Sequence, residues 1–144
     1  MTRRTFATGT PWEPKVGYSR AVRVGRQVFV SGTTATDANG RIVGKGDPAA
    51  QARQVFANLE RALQGVGAAL RHVVRTRMFV TDIARWEAVG RAHGEVFAAI
   101  RPCATLVQVS GFVDPDMLVE IEVDAVVDDD PVDGDNPVEK GPAG

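Results

Sequence analysis

The stretch Arg101–Val127, RPCATLVQVSGFVDPDMLVEIEVDAVV, decides the fold. It holds two strand-like runs joined by a turn, Thr105–Val109 and Met117–Val127. In the second, Val119, Ile121, Val123 and Ala125 alternate with Glu120, Glu122 and Asp124. A period of two gives a strand with one apolar face and one acidic face. An acidic row of this kind is ordinarily solvated. The sharper alternative is that one of its members lines a cleft.

Working back from this pair, Asp82 caps a helix predicted over Ile83–Ile100, with Trp86, Val89, His93, Val96, Phe97 and Ile100 as its apolar stripe and Pro102 as its stop. His72–Thr81 precedes it as a strand, Val74, Thr76, Met78 and Val80 on one side and Val73, Arg75, Arg77 and Phe79 on the other. Asp47–Gly65 is the clearest helix. Asp47 can cap it, Pro48 suits its first position, and Ala52, Val55, Phe56, Leu59, Ala62, Leu63 and Val66 form a helical stripe. Further upstream, Arg20–Gly25 and Gln27–Thr34 form a hairpin about Gly25-Arg26. Gly32 permits a bulge or a close approach of backbone. Arg41-Ile42-Val43 could briefly extend the sheet, Gly9–Lys15 reads as loop, and Thr2–Thr8 as a short first strand.

The order is β-β-β-α-β-α-β-β, with a hairpin at each end. It predicts an α+β fold: one mixed sheet with two helices on one face. The other face needs cover, which oligomerisation would provide for residues such as Val28, Val30, Phe79 and Leu106.

The 144 residues, 44% hydrophobic and 24% charged, suit a single soluble domain. The net charge of -1 averages two regions. Residues 128–144 carry six acidic and one basic residue, a net -5; residues 1–127 carry 16 basic and 12 acidic, a net +4. The first 127 residues are therefore read as the domain, and 128–144 as a disordered acidic tail. A body this mildly cationic could favour anionic small molecules but is far from a nucleic-acid-binding composition. Cys103 is the single cysteine, the opening residues lack the apolar stretch of a secretory signal, and no run is long enough to span a membrane. A cytoplasmic protein without nucleic-acid or membrane partners is the expectation.

Familiar catalytic motifs are missing. His72 and His93 lack ligand spacing, so neither a metal nor a cofactor is expected, and His93 reads as a packed residue. No basic patch with interleaved aromatics and no nuclease acid–base pair stands out.

Several segments together resemble the RidA/YjgF family: Gly17-Tyr18, V-F-V-S-G at 28–32, D-P-A-A-Q-A-R-Q-V-F-A-N-L at 47–59, V-V-R-T-R-M-F-V-T-D-I at 73–83, Arg101-Pro102 and V-E-I-E-V-D-A at 119–125. The resemblance covers about residues 15–127. It implies a chorismate-mutase-like fold, a homotrimer whose sheets form a central barrel, and ligand clefts at the subunit interfaces. It also implies hydrolysis of enamines and imines such as 2-aminoacrylate. Tyr18, Ser31, Gly32 and Glu120 match family cleft positions, and Glu120 could position a water for attack. Gly90, followed by Arg91, stands where the family has a cleft asparagine.

The family's deaminases read P-A-R-S-C at the start of the penultimate strand, and that arginine clamps the substrate carboxylate. Here the stretch is Pro102-Cys103-Ala104-Thr105-Leu106, with Ala104 in the arginine's place. Loss of such a desolvated charge pair removes roughly 2–5 kcal/mol of binding. Weak or absent 2-imino acid deamination follows as the expectation. Arg20, Arg91 and Arg101 are the arginines that could substitute, and a solvated surface role is the alternative for each. Cys103 has no partner that would make it a nucleophile. Two functions stay open: hydrolysis of an imine- or enamine-type metabolite with Glu120 as the catalytic group, or a non-catalytic homotrimer that binds a metabolite or a protein. The candidate ligand-binding set is Tyr18, Ser31, Gly32, Gly90, Arg91, Cys103, Ala104 and Thr105.

Overall fold

The computed structural model describes residues 2–128. The remainder of the acidic segment, expected to be disordered, lies outside the described residues. The elements are β1 (Arg3–Phe6), α1 (Trp12–Val16), β2 (Ala21–Val24), β3 (Gln27–Thr33), α2 (Pro48–Gly65), β4 (Val73–Val80), α3 (Trp86–Phe97), β5 (Cys103–Gln108) and β6 (Val119–Val126). The strands form one six-stranded sheet in the order β1-β2-β3-β6-β4-β5. Neighbours are antiparallel except β4 and β5, which run parallel.

β6 is a central strand, and its alternation explains why. Val119, Ile121, Val123 and Ala125 are buried in the core, while Glu120, Glu122 and Asp124 are half-buried on the other face. Fully burying one such aliphatic side chain is worth about 1.5–3 kcal/mol, so the pattern fixes the register. α2 packs across β6, β3, β2 and β1 and against α3, and the residues expected on its stripe are all buried. The Asp47 side chain caps the helix, accepting from Ala50 N at 3.1 Å.

Five details differ from the sequence-based expectation. First, the closing strands form no hairpin, because β4 lies between them and β5 is left as an edge strand. Second, Val28 and Val30 point into the core. Leu106, beside Met78, also packs against the core, whereas Phe79 does lie on the uncovered face, opposite Glu120. That face also carries Phe29, 47% exposed, and the exposed Val107 and Val126, because hairpin parity turns Val28 and Val30 towards α2. Third, a register shift between Val73 and Arg75 inserts Val74 as an extra residue, so Val73 is buried and Val74 is exposed. Fourth, the helix expected from Ile83 starts as a 3-10 turn, Ile83–Arg85, and α3 ends at Phe97. Trp86, at its first position, is half exposed. Fifth, Gly9–Lys15 is not all loop, since Trp12–Val16 is helical. The Arg41–Val43 stretch contributes one isolated bridge, Thr36 to Ile42.

Candidate functional site

The expected site residues divide into two groups. Tyr18, Ser31, Gly32 and Glu120 gather where β2, β3 and β6 meet on the uncovered face. Cys103, Ala104 and Thr105 lie on the exposed edge strand β5, with Ala104 opposite Thr76 of β4. Two strands, β4 and β5 itself, thus continue the sheet beyond β6 before that edge is reached. Gly90 and Arg91 lie on α3, where Arg91 meets Glu87 at 3.7 Å in solvent. A single chain does not bring this second group to Glu120.

The first group is held by its backbone. Val30 pairs with Val123 and Thr33 with Ile121, so Ser31 and Gly32 form a bulge. Ser31 Oγ donates to Ser19 O at 2.7 Å, and Thr33 Oγ1 donates to Ser31 O at 2.8 Å. Beyond the bulge, Asn58 Nδ2 on α2 donates to Thr34 O and Thr36 O at 3.0 and 2.9 Å. Gly32 is there for a close approach: a Cβ on it would lie 2.9 Å from both Cδ and Oε1 of Glu120.

Glu120 is positioned from α2 as well. Fully buried Gln51 accepts from Leu118 N at 2.8 Å and donates to Asp116 O at 2.9 Å, fixing the chain just before β6. Among the described residues nothing donates a hydrogen bond to the Glu120 carboxylate. Burial pushes its pKa up; the nearby Arg20 charge lowers it, Glu122 raises it, and the net shift is upward. Its neighbours on the acidic row differ. Arg77 Nη1 reaches Glu122 at 3.2 Å and Asp124 at 3.3 Å, so those two are paired rather than simply solvated.

Tyr18 is presented by the short helix α1. Its N–H and that of Gly17 both donate to Glu13 O, with Gly17 in the left-handed region at φ 87°. The buried Glu13 carboxylate ties the helix to the preceding loop. It accepts from the backbone N–H and the hydroxyl of both Thr8 and Thr10, the two hydroxyl bonds at 2.7 Å. An open cavity of about 580 Å³ lies beside this helix, with Arg3, Glu13, Tyr18, Val22 and Ser31 on its wall. Its wall includes Tyr18 and Ser31 of the first group but not Glu120.

Sequence reasoning missed Glu13, Gln51 and Asn58. The T-x-x-E spacing of Thr10 and Glu13 is that of a capping box and was a usable signal. Gln51 and Asn58 carried none, because a polar residue on a helix looks solvated until its loop partner is known. His93 is packed as expected: its Nε2 lies 2.8 Å from Thr76 Oγ1, between the rings of Phe56 and Phe97. Burial lowers its pKa. Among the described residues, no three His, Cys, Asp or Glu side chains cluster as a metal site requires.

One mixed sheet, two helices on one face and an open second face with a half-buried carboxylate define a class of small α+β proteins. The family model described as Endoribonuclease L-PSP matches residues 9–127, and the chain belongs to that family, the RidA/YjgF proteins. It is 40% identical to an uncharacterized protein of Streptomyces coelicolor, over 85% of this chain and 90% of the relative. It is 29% identical to a RutC family protein of Pyrococcus abyssi, over 85% and 95%. A crystal structure of a Mycobacterium tuberculosis member of the YjgF/YER057c/UK114 family superimposes with a TM-score of 0.81 at 46% identity, covering 88% of this chain and all of that one. No helix among the described residues is long and apolar enough to cross a membrane.

Proposed function

We propose that the protein is a homotrimer whose interface clefts hydrolyse a small imine- or enamine-type metabolite, with Glu120 as the general base. The observation that carries this reading is Glu120 itself. A half-buried carboxylate with no donor and a raised pKa costs stability, and such groups cluster where proton transfer is needed. In the reaction, water adds to the carbon of the C=N bond. Glu120 takes one proton from the water and gives it to nitrogen, forming a carbinolamine, then carries the carbinolamine hydroxyl proton to the same nitrogen as the C–N bond breaks, leaving a carbonyl compound and ammonia. The uncovered apolar residues Phe29, Val107 and Val126 support assembly, since a second and third sheet would cover them. The exposed edge β5, with Cys103, Ala104 and Thr105, could then complete a neighbour's cleft.

Ala104 argues against the standard reaction, because no guanidinium stands there to clamp an imino-acid carboxylate. The test is ammonia release from 2-aminoacrylate and from a panel of other imines, for the native protein, Glu120→Gln and Ala104→Arg. The native protein should turn over members of the panel and be poor on 2-aminoacrylate. Glu120→Gln should lower turnover by about 10²–10⁴-fold. Ala104→Arg should improve 2-aminoacrylate specifically. Full native activity on 2-aminoacrylate would refute the significance given to Ala104. If no imine is turned over while a metabolite still binds, the protein is a binding module rather than an enzyme.

A further inference from the structure

The chain leaves the sheet among arginines. Val127, just after β6, is held by the turn between β2 and β3. Its N–H donates to Arg26 O at 2.8 Å, and its carbonyl accepts from Arg26 Nε at 2.8 Å. Asp128 follows and opens the acidic run Asp128-Asp129-Asp130, of which the last two lie outside the described residues. The start of β1, the turn between β2 and β3, the loop after α2 and the start of β4 share this end of the sheet.

Two observations mark the exit as a place for negative charge. The first is His72. It is buried, 7% exposed, and its Nδ1 accepts from Ala69 N at 3.0 Å. That nitrogen therefore presents its lone pair, and in the neutral ring Nε2 carries the hydrogen. Nε2 is buried and has no hydrogen-bond partner among the described residues. Asp128 Oδ2 lies 3.4 Å from it, within ion-pair range but without hydrogen-bond alignment, on an exposed side chain. An Nε2 that carries hydrogen cannot ligate a metal; it calls for an acceptor.

The second is a crowd of guanidinium groups. Arg4 and Arg23 stand opposite each other across β1 and β2. A Cβ on Gly67 would meet Arg4 Nη1 at 3.0 Å and Arg23 Nη1 at 3.2 Å, so both cations press on one spot of the loop after α2. Like charges directly opposite destabilise a strand pair. Arg23 is buried, and its Nε and Nη1 donate to the carbonyls of Gly25, Val66 and Gly67. Among the described residues, Arg4, Arg26 and Arg71 make no ion pair.

We propose that Asp129 and Asp130 fold back on this end of their own chain as an acidic strap, seated against Arg4, Arg23 and Arg26, while Asp128 turns to accept from His72 Nε2. Charge favours it: residues 128–144 carry a net -5 and residues 1–127 a net +4. Position favours it too. Each residue spans at most about 3.6 Å, and Val127 already bonds Arg26, so the two aspartates arrive without a linker. Tethering of this kind holds a group at an effective concentration on the order of millimolar, ahead of a free acidic peptide. The strap is separate from the cleft around Glu120 and does not depend on the function proposed for it.

The test uses the full chain. Backbone amide relaxation by NMR at low salt should give Asp129 and Asp130 order parameters near ~0.85, as for the sheet, where a free segment falls below ~0.6. Asp129→Asn with Asp130→Asn should lower the midpoint of thermal unfolding by about 2–5 °C at low salt. That loss should vanish in roughly 1 M salt, and it should at least halve when Arg4→Gln and Arg26→Gln are already present. Order parameters of a free segment in the native chain overturn the proposal, whatever the variants do. Equal losses with and without the two arginines overturn the arginine seat. Order that rises with protein concentration assigns the seat to a second copy and overturns docking within the chain.

Discussion

Gly32→Ala separates the seat of Glu120 from the stability of the fold. Ordinary van der Waals contact begins at 3.4 Å, and the new methyl would lie 2.9 Å from Cδ and Oε1 of Glu120, so the carboxylate must retreat by about 0.5 Å. The next nearest atom is the Glu120 Cγ, at 3.2 Å. Gly32 is not among the glycines with positive φ, so the strand accepts alanine without backbone strain. The displaced atoms end a flexible side chain that has no hydrogen bond to lose. Pushing that side chain off its rotamer costs about 0.5–1.5 kcal/mol. Replacing glycine returns about 0.4–1 kcal/mol through the unfolded chain. The two nearly cancel, so the midpoint of thermal unfolding should stay within about 5 °C of the native value. The chemistry should not be spared. A misplacement of 1 Å can cost about a hundredfold in rate, and half that displacement predicts a loss of roughly tenfold in kcat. Calorimetry gives the first quantity and steady-state ammonia release the second; carboxyl-carbon NMR follows the Glu120 titration directly. An unchanged kcat and an unmoved Glu120 titration would refute the claim that Gly32 shapes the base's seat. A collapse of the thermal midpoint would show instead that Gly32 is needed for the sheet.

Glu13 makes stability depend on pH. Burial alone would raise its pKa, but the hydroxyl and backbone donors of Thr10 and Thr8 outweigh it and hold the value below the usual 4.5. A depressed folded pKa contributes stability above the unfolded value, and that contribution is lost as pH falls through the folded one. Glu13→Gln should therefore cost about 1–3 kcal/mol near neutral pH, and denaturant melts should show the gap closing as the solution is made acidic; a gap constant with pH would contradict this. Phe29→Glu puts a charge on the uncovered face and should convert a trimer to monomers by light scattering, with far-UV dichroism unchanged. A native protein that already sizes as a monomer would end the interface-cleft proposal.

Local pattern carried the two long helices and the strand identities. The Asp47-Pro48 start and the stripe from Ala52 to Leu63 needed nothing from elsewhere in the chain. The alternation in β6 announced a strand with two unlike faces. What local pattern could not supply was pairing. β6 enters between β3 and β4, and no residue near it says so, because the contacts are long-range and the turn before it suggested a hairpin with β5. The bulge at Val74 is equally silent, since Val73 and Val74 are chemically identical and only the register decides which is buried. The site was legible to the same extent. Gly32 was recognisable as a place where backbone comes close, but what approaches it depends on a strand more than eighty residues later.

The acidic row shows how register turns like residues into unlike ones. Glu120, Glu122 and Asp124 share one face, one strand and one spacing. Their partners on β4 are Phe79, Arg77 and Arg75 respectively. Arg77 bridges Glu122 and Asp124, and at this degree of exposure each such pair is worth no more than about 1 kcal/mol. Glu120 faces an aromatic ring across the strands instead, and burial raises its pKa with no donor to compensate. Arg77 and Phe79 on β4 thus divide three similar acids into a paired two and an unpaired one. The cation that does act on Glu120, Arg20, donates to the Gly32 carbonyl and lies over the Tyr18 ring.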